Sequence, residues 1–388
     1  GVTLTISEGK ALTVKGNLEN NGSLTLKSDV SGSATLIVDG TISGSGTYTV
    51  EQYLAGSNRN YYIGSPVSNA TAAVFNNGTH SKFSHNTAEQ RYYTLANGTT
   101  LNPGQGYVYR GTNAQTVEFT GALNNSDLDI DITDEGNGNP FDGYNLIANP
   151  FTAYIDFKQA NIDRVDASIW FRAFNGANNV FDTYNRDSEI GTNNNGAGAV
   201  NEFIPPLQGF WVKKVGPGTG TFSFEKSNRS HQTGTLRKPQ QQNIFRFNIS
   251  KDGVSDEAVI NFTPNAEEEV ESYDSRKMYS NIQAQVATVV NNQDLVINSL
   301  PSYYDASVPA KVKFTEAGLY TLSATQQSGE LQNTPVVLED LLTKQKVSFN
   351  AGETYTFKGN KDDANRFVIH FGDIPLSVNN TSAIAPIV

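Results

Sequence analysis

The feature that most constrains this chain is a run of twelve-residue rows near its N-terminus. From position 12 the rows read LTVKGNLENNGS, LTLKSDVSGSAT, LIVDGTISGSGT and YTVEQYLAGSNR, so Leu12, Leu24, Leu36 and Tyr48 share one column. Val14, Leu26, Val38 and Val50 make a second column, and Leu18, Val30, Ile42 and Leu54 a third. Each half-row alternates apolar and polar residues and then meets Gly, Asn or Ser, which turn a chain at small steric cost. A rung this short cannot bury its own apolar face and gains by stacking on the next. Residues 1–56, with Val2 and Ile6 as a partial first row, are expected to form a short β-solenoid-like stack. An antiparallel meander with six-residue spacing is the competing arrangement. No catalytic group recurs in the rows.

A second, longer repeat follows, because two landmarks return in the same order. Tyr62-Ile63-Gly64-Ser65-Pro66-Val67 returns as Leu146-Ile147-Ala148-Asn149-Pro150-Phe151, and Pro103-Gly104-Gln105-Gly106-Tyr107 returns as Pro206-Leu207-Gln208-Gly209-Phe210. Pro ends a strand at an edge or bulge, since it cannot donate to a ladder, and the Gln-Gly-aromatic element re-enters one. The landmarks stand 39 residues apart in the first copy and 58 in the second, so the second carries about nineteen extra residues, placed in the Gly- and Asn-rich segment Asp182 to Val200. Residues 57–235 are expected to be a duplicated β domain with units at about 57–122 and 143–227.

From 243 to 376 short alternating runs around Ile244, Val259, Leu295, Val312, Tyr320, Val336, Tyr355 and Phe367 predict a C-terminal β-sandwich of seven to nine strands. A polar linker containing Pro239 is expected from Thr235 to Gln242, and 377–388 is expected to be a linker or tail. The acidic run Glu267 to Glu271 is expected to be solvated. The fold class expected is all-β.

Composition narrows the function classes. Of 388 residues, 28 are Lys or Arg and 39 Asp or Glu, a net charge of −11, the wrong sign for tracking phosphates or an anionic membrane surface. No nucleic-acid partner is expected. The absence of Cys removes disulfides, thiolate nucleophiles and every Cys-based metal site. No apolar run of 18 residues exists, so no membrane insertion is expected either. About forty asparagines, 34 glycines and 38 Tyr or Phe residues give the turn-rich, aromatic-rich character of an extracellular β protein. The start at Gly1, with neither Met nor a leader pattern, is that of a chain beginning after leader cleavage or at an artificial boundary.

Few residues point to chemistry. Asp127, Asp129 and Asp131 alternate with Leu128, Ile130 and Ile132, and on a strand they would share one face, where three hard oxygens could hold Ca²⁺. The same alternation describes a half-exposed strand, and the Gly and Glu of an EF-hand loop are missing. Apart from that calcium alternative, no cofactor is expected. His80, His85, His231 and His370 never approach a zinc-helix spacing, no nucleophile elbow occurs, and no Gly-rich run opens a helix. Exposed aromatics are the remaining candidates, since Tyr and Trp stack on sugar faces and anchor interfaces. Trp170, Tyr184 and Trp211 are the ligand-binding candidates, the first two because they lie at or beside the insertion, where loops carry function.

Taken together, the Tyr-x-Ile-Gly-Ser-Pro-Val run, Asn145-Leu146-Ile147-Ala148-Asn149-Pro150-Phe151 and Gln208-Gly209-Phe210-Trp211-Val212 resemble recurring strands of large secreted surface proteins of the Bacteroidota. Gly318-Leu319-Tyr320-Thr321-Leu322 and Asn365-Arg366-Phe367-Val368-Ile369-His370-Phe371 resemble the β-sandwich that often precedes a type IX secretion sorting domain. The resemblance covers about 57–388, and no sorting domain stands before Val388, so surface attachment is implied by resemblance alone. It implies a non-enzymatic, adhesin-like binding or display module, secreted or on the outer cell surface, with a glycan or extracellular protein as partner. A polysaccharide-active enzyme or glycan-binding component is one alternative, and a structural spacer another. Two carboxylates converging in a cleft lined by Trp170 or Trp211 would mark the enzyme.

Overall fold

A computed structural model describes residues 2–76, 80–136, 138, 141–232, 242–282, 284–360 and 364–376. Strand takes 52% of the chain and helix 4%, the helix being short 3₁₀ turns, so the protein is all-β as alternation and turn chemistry require. The chain divides into two compact units, Gly1–Lys238 and Pro239–Val388. The expected linker, apart from Gln242, and the 377–388 tail lie outside the described residues.

The N-terminal rows pair in parallel, and they do so at twice the sequence period. Leu12 faces Leu36, Leu18 faces Ile42 and Leu24 faces Tyr48, each a separation of 24 residues. Alternate rows stack, and consecutive rows lie in different walls. Parallel neighbours need a crossover much longer than a hairpin, and one intervening row supplies it. The turns repeat at the same separation: Asn17 Oδ1 accepts from Thr41 N at 2.9 Å and Asn21 Oδ1 from Ser45 N at 3.1 Å. These amides satisfy turn N–H groups that the ladder leaves open. The pairing is not an antiparallel meander.

Two sheets with the same strand order follow. The first runs Asn60–Ile63, Tyr107–Gly111, His80–Asn86, Arg91–Thr94, and the second Tyr144–Ala148, Gly209–Lys213, Ser168–Phe174, Asn179–Asn185, with the short Ile190–Gly191 added at its edge. In each, the two landmark strands are antiparallel neighbours, Tyr62 facing Val108 and Leu146 facing Trp211. Each also has a second antiparallel layer, Thr47–Leu54 with Gln115–Thr120 and Leu128–Ile132 with Gly220–Phe224. The cores between the layers are separate: Phe75, Tyr107, Val117 and Phe119 in the first, Ile147, Phe157, Phe210 and Phe222 in the second.

The copies are joined reciprocally. Ile63 bridges Gln208 and the equivalent Ile147 bridges Gln105, while Gly64 N donates to Leu207 O at 2.8 Å and the equivalent Ala148 N to Gly104 O at 2.9 Å. Gly104 and Leu207 both sit after Pro at positive φ, +83° and +61°, in the turn position that favours glycine. In the first copy glycine takes this φ without strain, and a Cβ there would stand 2.5 Å from the tip of the Ile130 side chain. In the second, Leu207 accepts the strain and buries its side chain in the first copy's core.

The stack is tied to the second copy. Leu36 N donates to Thr152 O at 3.0 Å, Thr152 Oγ1 donates to Leu36 O at 2.9 Å, and His231 lies between Thr13 Oγ1 and Thr35 Oγ1 at 2.8 and 2.7 Å.

In the second unit eleven strands form one continuous sheet that closes nearly into a barrel. Every run singled out in the sequence falls on one of its strands, and the sheet also includes Ala284–Val290 and Gln345–Ser348. Tyr355, on one edge strand, donates from its hydroxyl to Asp340 Oδ2 beside the other edge at 2.9 Å. Phe245, Phe247, Phe262, Phe357 and Phe371 fill the interior. Asp340 is wholly buried against Arg366, whose Nε and Nη2 donate to its two oxygens at 2.8 and 2.6 Å. The run Glu267 to Glu269 is exposed and non-helical.

Candidate functional site

Two adjoining cavities in the first unit, of about 480 and 200 Å³, share Tyr154, Pro205 and Gln208 in their walls and so form one groove. The insertion builds one side. After the Asn179–Asn185 strand the chain returns through Ile190–Gly191 and then runs irregularly, and Asn195 and Ala197 to Asn201 line the larger cavity. This loop is anchored from below by Asp182, whose Oδ1 accepts from Asn194 N at 2.5 Å, and by Asn194 Nδ2 donating to Phe181 O at 2.8 Å.

Arg59 and Arg172 line the larger cavity from the two copies. Arg59 sits in a turn with Ser57 and Asn58 at positive φ, and its guanidinium lies 4.8 Å over the Tyr61 ring. Arg172 is mid-strand opposite Phe181, whose ring it covers at 4.5 Å. Burial disfavours the charged form of Arg172, partly offset by Tyr62 and Tyr92 nearby. Neither arginine forms an ion pair among the described residues, and the Nε of each is buried without a hydrogen-bond partner. Gln208 Nε2 donates to Tyr62 O at 3.3 Å, which ties the groove floor to the bridge between the copies. Flat rings (Tyr61, Tyr154, Phe203), side-chain amides and two guanidiniums suit a polyhydroxylated ligand that offers acceptors and a weakly apolar face.

The aromatic candidates lie elsewhere. Trp170, Tyr184 and Trp211 are 0%, 2% and 5% exposed, and none is among the described lining residues. Trp170 and Trp211 are opposed on neighbouring strands, Trp170 meeting Tyr144 edge-on at 5.3 Å. Tyr184 is in the second core beside Phe157. Adjacent residues on a strand do face opposite sides, but here both sides are covered, one by the core and one by the other copy. Trp211 packs against Tyr62 at 6.0 Å and His85 at 4.7 Å, both in the first copy. Burial in this seam depresses the His85 imidazole to about 4.

The acidic candidates are on the surface. Asp129 and Asp131 are exposed on Leu128–Ile132 while Leu128 and Ile130 are half-buried and Ile132 buried, and Asp127 Oδ1 accepts from Lys226 N at 2.7 Å. Among the described residues no three His, Asp or Glu side chains converge as a metal site would require. His80 stacks on Tyr109, and His370 lies between Ser307 and Glu339.

The groove residues Arg59, Tyr154, Arg172 and Asp182 belong to no motif, and what brings them together is the pairing of the copies. Two clues were present: the surplus length at 182–200, which forms a wall, and Gln208 of the repeated landmark, which forms the floor.

The chain is all-β, with two sheets of the same strand order in its first unit and a groove lined from both. It belongs to the family described as a domain of unknown function, DUF8693, which matches residues 1–371. No curated protein and no solved structure matches it.

Proposed function

We propose that this is a non-enzymatic, extracellular, adhesin-like binding module and that it binds glycan in the groove between the two copies. The observation that carries this reading is the groove itself, walled by the copy-specific insertion and furnished with rings and amides. Its described lining holds one carboxylate, Asp182, which supports binding over glycoside hydrolysis, where a pair is needed. The finer architecture belongs to the same reading. Parallel stacking at 24 residues supports a short β-solenoid in front of the duplicated domain, and opposed strands around one apolar interior support a sandwich-like second unit. Display on the outer surface of a Bacteroidota cell rests on the resemblance of the strand motifs.

The test is a screen of the intact chain against plant, microbial and host glycans and matrix proteins, with and without EDTA, while products are followed by chromatography. Saturable glycan binding lost in Tyr154→Ala supports the module. Chain shortening would replace it by the enzyme alternative, EDTA-sensitive binding would return attention to Asp127, Asp129 and Asp131, and no binding to any member of the panel would favour the spacer.

A further inference from the structure

We propose that the groove selects glycans carrying a carboxylate, that is, uronic-acid sugars, and that Arg59 and Arg172 receive it; this deepens the glycan-binding reading and rests on it. Arg164, Arg186, Arg246 and Arg366 each have a carboxylate within 4.0 Å, Arg91 and Arg110 are exposed, and Arg229, which has none among the described residues, spends its donors on Lys226 O, Asn125 and Val38 O. The two arginines of the groove have none among the described residues, and they share a wall.

Their orientation is fixed in a way that leaves donors to spare. Each guanidinium lies over an aromatic ring, Arg59 over Tyr61 and Arg172 over Phe181, which helps to hold its plane. Each also has a buried Nε without a hydrogen-bond partner. A buried donor left unmade is costly, and that cost marks both guanidiniums as under-satisfied. Asp182 shares the wall, but its Oδ1 already accepts from Asn194 N and Thr192 Oγ1, and it secures the insertion.

A planar carboxylate matches the guanidinium fork in two parallel hydrogen bonds, which a sugar hydroxyl cannot do. The rest of the lining suits the remainder of a sugar: Tyr154 and Phe203 offer ring faces, while Asn195 and Asn201 offer amide N–H groups for hydroxyls.

The experiment compares binding of the intact chain to polygalacturonate and to the same polymer after reduction of its carboxyl groups to primary alcohols, with a sulfated galactan as third probe. The expected result is binding to polygalacturonate at least tenfold tighter than to the reduced polymer, weakening as salt rises. Arg172→Gln and, separately, Arg59→Gln are each expected to remove most of that difference, with an unchanged thermal midpoint showing that the groove still folds. Equal binding to both polymers would overturn the carboxylate selection while leaving the glycan reading standing. A preference for the sulfated polymer would overturn it in favour of tetrahedral anions, and no binding to any of the three, or to the neutral glycans of the wider panel, would overturn both.

Discussion

Gly64 and Ala148 are equivalent residues that meet where the copies join, and a Cβ on Gly64 would stand 2.4 Å from that of Ala148. Two methyl groups cannot share that space, so Gly64→Ala should destabilise the first unit by about 1–3 kcal/mol, the usual cost of overpacking, read from denaturant unfolding. His85 gives a pH effect at the same seam. Its imidazole is depressed to about 4 by burial, so the unfolded chain takes up a proton before the folded one does. The stability that neutral His85 allows is therefore complete above the ordinary histidine range and lost as the pH falls from about 6.5 toward 4. After discounting for partial exposure this amounts to about 1–2 kcal/mol. His85→Phe should flatten that part of the pH dependence, and an unchanged slope between pH 7 and pH 4.5 would refute the assignment. Neither residue stood out in the sequence for this reason: Gly64 was visible as part of a repeated landmark, but its neighbour across the seam lies 84 residues away.

At the level of elements, most strands were legible because apolar alternation and Gly, Asn or Pro punctuation are local properties. Stacking order is not local. The rows show a period of 12, yet Leu12 lies on Leu36 because a parallel neighbour needs a full intervening row as crossover. Duplicating residues 24–47 as a block should consequently extend the stack and preserve the fold, whereas inserting one row of twelve should place mismatched walls together and lower the thermal midpoint. The aromatic candidates failed to reach the groove for a related reason: alternation tells which residues point the same way and is silent on whether a second copy covers that face. The insertion is the converse case, legible as surplus length and found in the wall. Shortening Gly196 to Ala199, which leaves the Asn194 anchor in place, should abolish glycan binding with little change in stability, since these four residues are exposed.

For the whole molecule, the two units have their own cores, so calorimetry of the intact chain should resolve two transitions. Asp340→Asn provides the assignment. Burial alone would raise the Asp340 carboxyl, but hydrogen bonds from Arg366 and Tyr355 and the guanidinium charge hold it below the usual carboxylate range. Removing that charge strands a buried Arg366, which should cost about 3–5 kcal/mol and lower the transition of the Pro239–Val388 unit alone. The reciprocal bridges of the other unit, Ile63 with Gln208 and Ile147 with Gln105, carry a different consequence. Each four-stranded sheet supplies the same two strand ends and receives the same two, so the join has the reciprocity of an isologous contact within one chain. The groove is therefore composite: one half brings Arg172 and the loop to Val200, the other brings Arg59, and neither half alone could carry the whole lining.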